Sequence, residues 1–580
     1  MTPYMGAEHS ITNGTNGVRS TNYTILEGTK TALEHLLFRA EGQLPPECHP
    51  HIARASFKTA NDAGSPYYPS PLKQTEAISA LKAVEAGVAA TIAGLQDGTE
   101  QRSITVDLER ASAFLFSTYL ATVGGMDKAN PKVKKLLKDT DLLHAQSILY
   151  RRLSANLYET KNPGEYFHLH GSLEATKALN MVGLEGHRPD LTDYHECIKT
   201  IEDHVKQFTA DQLEEMNWKI KQAGVTCLKW DDFQATEHGQ TLLQQPPWKI
   251  EQLESESPPA PFPLSPSRAP KPQILSGIRV LEMCRIIAGP AMGRGLAEYG
   301  AEVIKVTSPN LSDVPFFQVD GNLGKHATDL NLRNPDDRAI FEELLQSADV
   351  ILDGYRPGSL TRLGYGPQQI LQMTKHRQRG IVYVAENCFG HVGPWSSRPG
   401  WQQIADCVTG VAWEQGFGMG LNEPVVPPFP MSDYGTGCMG TIAALAGLYK
   451  RAKHGGSYFG TTSLTQYDIF LLQLGVYDKK MMRELREQHD NEFFELRHHD
   501  SVDEVGKRAL KTMRRVHPEL FEERHLQECF SKGFNAKVRT VRPVVEIEGT
   551  WNGFLRSSRP NGFDKPTWEG WEVDDDMLKV

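Results

Sequence analysis

The pattern of apolar and polar positions changes character about halfway along the chain. From residue 24 to about residue 250 the apolar spacing is mostly helical. Residues 75–94 predict an amphipathic to buried helix, and Ile104-Thr-Val-Asp-Leu108 predicts a short β-branched strand. Residues 173–181, 193–208 and 210–224 are further helical stretches. The last of these follows Thr209-Ala-Asp-Gln, the spacing of a capping box. Residues 1–22 are polar and are expected to form a disordered tail.

A proline-rich run over residues 254–273 breaks this pattern and predicts an extended, exposed linker. Beyond it, strands and helices alternate. Strands are predicted over residues 278–283, 302–306, 350–354 and 381–385, with helices over 292–299 and 336–348 between them. Units of this length imply a parallel sheet with right-handed crossovers, whose ligands lie beyond the carboxyl ends of the strands. The loops 288–290 and 307–313 are expected there. The fold expected is therefore α/β: a Rossmann-like parallel-sheet domain over residues 274–470 plus a smaller α+β domain within 23–253. A divergent segment, 471–580, follows.

Residues 435–470 and 79–114 read as two versions of one unit, each an apolar helix, a polar turn, a short strand and a second helix. This suggests a partial duplication in which residues 23–253 are a degenerate first copy. At the offset that aligns Leu464 with Leu108, Asp433 falls on Ala77, so the first copy lacks the acid.

Composition adds bounds. A chain of 580 residues, 39% apolar and 23% charged, is a multi-domain globular protein. The formal charge of -10, with basic residues scattered, gives no support for a nucleic-acid partner. The eight cysteines contain no C-x-x-C pair, so neither a zinc site nor a redox motif is indicated, and they fit a reducing compartment. No apolar run approaches the ~20 residues of a membrane span, and no signal peptide or peroxisomal ending is visible. A cytoplasmic location is expected on that ground.

The candidate chemistry centres on Asp433, in Pro427-Pro-Phe-Pro-Met-Ser-Asp-Tyr-Gly-Thr-Gly-Cys-Met-Gly440. It stands ahead of an apolar helix, where an acid is an N-cap or a carboxylate nucleophile held at a helix start. Amides at that start and the nearby glycines are candidates for holding an oxyanion. The sheet lacks G-x-G-x-x-G after its first strand and an acid after its second, so it is not a standard dinucleotide site. Lys305, Lys325, Arg356 and Arg362 instead supply positive charge that would suit a phosphorylated ligand.

The blocks Leu275-Ser-Gly-Ile-Arg-Val-Leu-Glu-Met-Cys-Arg-Ile-Ile-Ala-Gly-Pro290 and Leu296-Ala-Glu-Tyr-Gly-Ala-Glu-Val-Ile-Lys-Val306 resemble class III CoA-transferases, the CaiB–BaiF family. So do residues 348–364, Phe389-Gly-His-Val-Gly-Pro394 and Arg398-Pro-Gly-Trp401. That family includes formyl-CoA and carnitine CoA-transferases and the alpha-methylacyl-CoA racemase. The resemblance implies a CoA-binding sheet domain and an aspartate, here Asp433, that attacks an acyl-CoA thioester and passes through an aspartyl–CoA thioester. It implies acyl-CoA and carboxylic-acid substrates, with no permanently bound cofactor and no metal. Carried over by position, Arg285, Ala288, Gly289, Lys305, Lys325, Arg356 and Arg362 are the CoA-contact candidates. Members form interlocked dimers of shorter chains, so a homodimer or an intramolecular pseudo-dimer is expected.

Two departures bear on the reaction. Racemases of the family carry His–Asp where this chain has Trp401-Gln402, which removes the second base. Gln402 replaces an acid of several transferases and is a hydrogen-bonding group, not a base. Asp406, one turn on, reads as a helix-surface charge or as compensation. His168 and His170 lie on one predicted strand face without metal-ligand spacing. The readings that follow are a CoA-transferase, in a specialised pathway to suit so divergent a member; an acyl-CoA racemase, epimerase or dehydratase; and a non-catalytic acyl-CoA-binding protein.

Overall fold

A computed structural model describes residues 23–60, 64–263, 271–571, 574 and 577. The expected tail, residues 1–22, lies outside the described residues.

The strands run, in chain order, β1 (Ala55–Lys58), β2 (Ile104–Asp107), β3 (Thr122–Val123), β4 (Ala155–Glu159), β5 (Tyr166–His170), β6 (Val225–Thr226) and β7 (Trp248–Glu254). The next six are β8 (Arg279–Met283), β9 (Glu302–Thr307), β10 (His326–Asp329), β11 (Val350–Asp353), β12 (Val382–Asn387) and β13 (Ser457–Ser463). Last come β14 (Leu526–Ser531), β15 (Ala536–Val541) and β16 (Val545–Ile547).

The largest sheet has the order β10-β9-β8-β11-β12-β13-β7 and is parallel except for β7. Its six parallel strands follow the doubly wound order, with the reversal between β8 and β11. The near-continuous apolar runs of β8, β11 and β12 follow from burial on both faces. Three small sheets accompany it: β1-β2-β16, β14-β15-β3 and β4-β5-β6.

The expected duplication has a counterpart in the succession of elements. The helix Gln74–Asp97 leads to β2 and the helix Leu108–Phe114; the helix Met431–His454 leads to β13 and the helix Leu464–Gln473. Both long helices have 24 residues. The strand neighbourhoods match as well. β2 lies between parallel β1 and antiparallel β16, as β13 lies between parallel β12 and antiparallel β7. The strand that ends the first segment thus closes the second segment's sheet, and the strand near the chain's end closes the first segment's.

The helix Gln74–Asp97 corrects the membrane expectation in one respect. It is long and apolar enough to cross a membrane by length and composition, yet 89% of its most apolar window is buried inside the protein. It is a core helix, packed on the Met431–His454 helix. Gly98, at φ 78°, ends it in the left-handed conformation.

Other expectations shift by a few residues. The capping box at Thr209 and Gln212 forms as read, on a helix spanning Ala210–Lys219. The predicted loop at residues 288–290 is instead the first turn of the helix Ala288–Glu298. The proline-rich segment is mostly exposed where described, and it is tied down by buried Phe262 and by the Ala260 amide donating to the Arg451 carbonyl.

Candidate active site

Asp433 sits where two helix starts meet. Its own helix begins at Met431, so Asp433 is in the first turn and the N-cap alternative falls away; Pro430 holds that place. The backbone N–H of Ala288, opening the helix Ala288–Glu298, donates to its carboxylate. Both helix N-termini favour the anion. Burial opposes them and pushes the Asp433 carboxyl well above its usual range, and the acids Glu386 and Asp406 push the same way.

The glycines after Asp433 serve packing. A Cβ at Gly437 would lie 2.4 Å from that of Ala291, and one at Gly440 would lie 2.2 Å from the Met292 sulfur. They let the two helices approach closely.

Asp433 lies at the junction of two cavities. The larger, about 270 Å³, runs over the carboxyl ends of β8, β11 and β12, at the point where the strand order reverses. Its wall includes Arg285, Ala288, Gly289, Arg356 and Glu386. Arg285 Nη1 donates to the Ser312 carbonyl at 2.6 Å and its guanidinium lies over Tyr355, while Arg356 Nη1 donates to the Lys221 carbonyl at 3.2 Å. Among the described residues no carboxylate pairs with either. Burial lowers the Arg356 pKa and the like charge of Arg285 adds to that.

The smaller cavity, about 100 Å³, lies on the other side of Asp433. Pro427, Pro428, Phe429 and Pro430 wall it with Phe317, Val314, Trp401, Gln402, His170, Arg152 and Val502. Three parts of the chain thus build one site: the first segment gives His170, Ser172 and Arg152, the sheet domain gives Asp433, and the C-terminal segment gives Val502.

Behind Asp433 lies a buried acid pair. Asp406 is fully buried, which corrects the reading of it as a surface charge. It accepts from Ser432 Oγ at 2.9 Å and from Gln402 Nε2. Burial raises its pKa to about 8, and Asp468 hydrogen-bonds it from the helix Leu464–Gln473. Gln402 therefore lines the small cavity while anchored from behind.

His170 is held neutral by burial, with His168 beside it and Trp401 stacked on it at 5.9 Å. The Ser172 amide donates to His170 Nδ1 at 3.0 Å, which puts the ring proton on Nε2. His170 is thus a donor there and no substitute for the base that Trp401 displaces. Two wall residues, Ile286 at φ 69° and Ser172 at φ 54°, are left-handed. A β-branched residue in that region is strained, and such strain gathers at ligand sites.

The structure brings Asp433, Gln402, Arg285, Ala288, Gly289 and Arg356 together. It does not bring Lys305, Lys325 or Arg362 into either cavity. Lys325 is fully buried, bonded to Glu282 at 2.6 Å and to the Pro290 carbonyl at 2.7 Å, and locks β8 to the helix above it. Lys305 donates to Asn322 Oδ1 at 2.9 Å, also buried. Arg362 is bonded locally to Ser359 and the Pro357 carbonyl, at the surface. Glu386, Ser172 and Arg152 escaped the sequence reading; an acid ending an apolar strand was the visible signal for Glu386.

Residues 275–501 match the family model described as CoA-transferase family III. The chain is 33% identical to "Acetyl-coenzyme A transferase nodX" of Hypoxylon pulicicidum, over 91% of each chain. It is 31% identical to "Acyl-CoA transferase" of Gibberella moniliformis, over 84% of this chain and 87% of that one. A CaiB/BaiF family crystal structure from Brucella suis is similar at 26% identity, covering 36% of this chain and 56% of that one, with a TM-score of 0.31. With relatives matched over nearly their full length, the chain belongs to CoA-transferase family III and is an enzyme that transfers CoA.

Proposed function

We propose that the protein moves CoA between an acyl-CoA and a carboxylic acid through acyl intermediates on Asp433. The observation that carries this is the placement of Asp433 at two converging helix starts, between a cleft with two unpaired guanidinium groups and a pocket of smaller volume. Arg285 and Arg356 hold the CoA phosphates, and the small cavity takes the acyl group and the free acid in turn.

The Asp433 carboxylate attacks the thioester carbonyl carbon, the C–S bond breaks, and a mixed anhydride forms as the CoA sulfur leaves. The sulfur then attacks the Asp433 carbonyl, which releases the first acid and leaves an aspartyl–CoA thioester. The incoming acid repeats the two steps in reverse and departs as its CoA ester. The Ala288 amide and the helix starts stabilise negative charge at Asp433.

The exchange of β7 and β16 between sheets supports an intramolecular pseudo-dimer, with the active site completed by the first segment. Within that arrangement, the domains are a degenerate first copy over 23–253, a linker over 254–273, the CoA-binding domain over 274–470 and the C-terminal segment over 471–580. Eight free, buried thiols fit a reducing compartment and a cytoplasmic location. A specialised pathway fits the divergence of the first copy. The test is Asp433→Asn: the account expects transfer to be abolished with CoA binding retained, and full transfer by this variant contradicts it.

A further inference from the structure

Glu386 is an unpartnered carboxyl in the wall of the larger cleft. It is the penultimate residue of β12 and only 8% exposed. Its carboxyl makes no hydrogen bond or ion pair with the described residues, and it lines the same cavity as Asp433. Gly354 leaves room for it, since a Cβ there would lie 2.9 Å from Glu386 Oε2. A buried carboxyl without a partner is costly, and such a group facing a ligand cleft points to a ligand atom that completes it.

The titratable groups around it come from four elements. Asp353 ends β11, Asp433 lies on its helix, Cys284 follows β8 and Cys388 follows β12. Arg285 and Arg356 line the same cleft, but neither forms an ion pair with it. Asp353 disfavours a second negative charge beside it and favours the protonated Glu386, while the ionised Asp433 is the state that the nucleophile reading requires and its helix starts favour. Burial, with Asp353 second, raises the Glu386 pKa to about 8.

We propose that Glu386 is the general acid and base for the CoA sulfur. This rests on the reading of Asp433 as the nucleophile. When Asp433 attacks the thioester, the C–S bond breaks and its electron pair goes to sulfur. The Glu386 O–H passes its proton to that sulfur, which leaves free CoA thiol, the mixed anhydride and the Glu386 carboxylate. When CoA attacks an acyl carbon, the carboxylate takes the proton back as the C–S bond forms. The total charge is the same before and after each step, and no further reactant is needed. An ordinary thiol titrates near ~8.5, close to Glu386, which is the match that makes such transfer efficient in both directions.

The role is distinct from that of Gln402 or Asp406. Those belong to the small cavity and its backing, away from the strand ends where Glu386 sits. The position is also independent of the guanidinium pair, so CoA affinity and proton transfer are separable.

The experiment is single-turnover release of CoA thiol from a panel of acyl-CoA thioesters, measured against pH, for the wild type, Glu386→Gln and Asp433→Asn. Gln keeps the shape and an N–H donor but exchanges no proton. The expected result is a rate loss of roughly 100-fold in Glu386→Gln, the scale of general acid catalysis. The alkaline fall of the wild-type profile disappears in that variant, and CoA affinity by calorimetric titration stays at the wild-type value, which shows that the site is folded. A Glu386→Gln enzyme with the wild-type rate overturns the proposal. So does a slower enzyme that keeps the alkaline fall, which is the mark of a positioning role only. If Asp433→Asn is dead while Glu386→Gln is normal, only this proposal fails; if Asp433→Asn releases thiol normally, the nucleophile reading itself fails.

Discussion

The thiol of Cys438 lies 2.9 Å from Glu85 Oε2 and joins the helix that carries Asp433 to its counterpart in the first segment. Glu85 also accepts from Lys82 Nζ at 2.9 Å and from the Tyr299 hydroxyl at 3.0 Å. All four side chains are buried, so the contact between the two long helices is a closed polar node within an apolar core.

That node makes a stability prediction. Lys82→Met removes the cation and leaves Glu85 buried with neutral donors only. Removing one member of a buried pair costs about 3–5 kcal/mol. The variant is expected to unfold at a clearly lower urea midpoint than the wild type, with the loss felt at both halves because the helices share the node. An unchanged midpoint contradicts the reading.

The guanidinium pair makes a binding prediction. Arg285→Ala and Arg356→Ala each remove a charge-assisted contact to phosphate, worth about 1.5–3 kcal/mol, so CoA affinity falls roughly 10- to 100-fold. The loss shrinks as salt is raised. Arg362→Ala, bonded locally at the surface, leaves the affinity unchanged. Calorimetric titration of CoA at two salt concentrations checks both statements.

A histidine tie predicts a pH dependence of stability. His498, in the C-terminal segment, bonds Glu202 at 2.8 Å and faces Glu423 at 3.4 Å. Burial opposes its charge, but the bonds to Glu202 and Glu423 outweigh burial and raise its pKa above the usual value. A raised folded pKa gives stability that is full below the unfolded value, ~6.5, and is lost as pH rises through the folded value. The wild type is therefore expected to lose more stability between about pH 6 and about pH 9 than His498→Gln does. Equal losses in urea midpoint contradict this.

How far the sequence carried the account depends on the kind of residue. Local patterning placed Asp433 at a helix start and residues 288–290 beyond the strand ends, while Arg285 and the CoA-contact roles of Ala288, Gly289 and Arg356 came from the family resemblance. The strand–helix alternation gave the parallel sheet, and the repeated helix–strand–helix unit anticipated the paired long helices. Lys305 and Lys325 looked like ligand cations because charge is visible in sequence while burial is not; each had a partner, Asn322 or Glu282, on another element. The surface reading of Asp406 failed for the same reason, since its bonds to Ser432 and Asp468 cross between helices. His170, Ser172 and Arg152 reach the site only through packing of the first segment on the second, a long-range relationship that no local period encodes. Even the start of the Asp433 helix moved, because Pro430 sets the N-cap where an acid would otherwise be expected.

The most direct measurement is the intact mass of the protein after incubation with a panel of acyl-CoAs, followed by hydroxylamine or borohydride trapping and peptide mapping. The account predicts a covalent adduct, or its trapped product, on the peptide containing Asp433 and absent from Asp433→Asn. Turnover of an acyl-CoA with no adduct, or an adduct on another residue that Asp433→Asn retains, would contradict it.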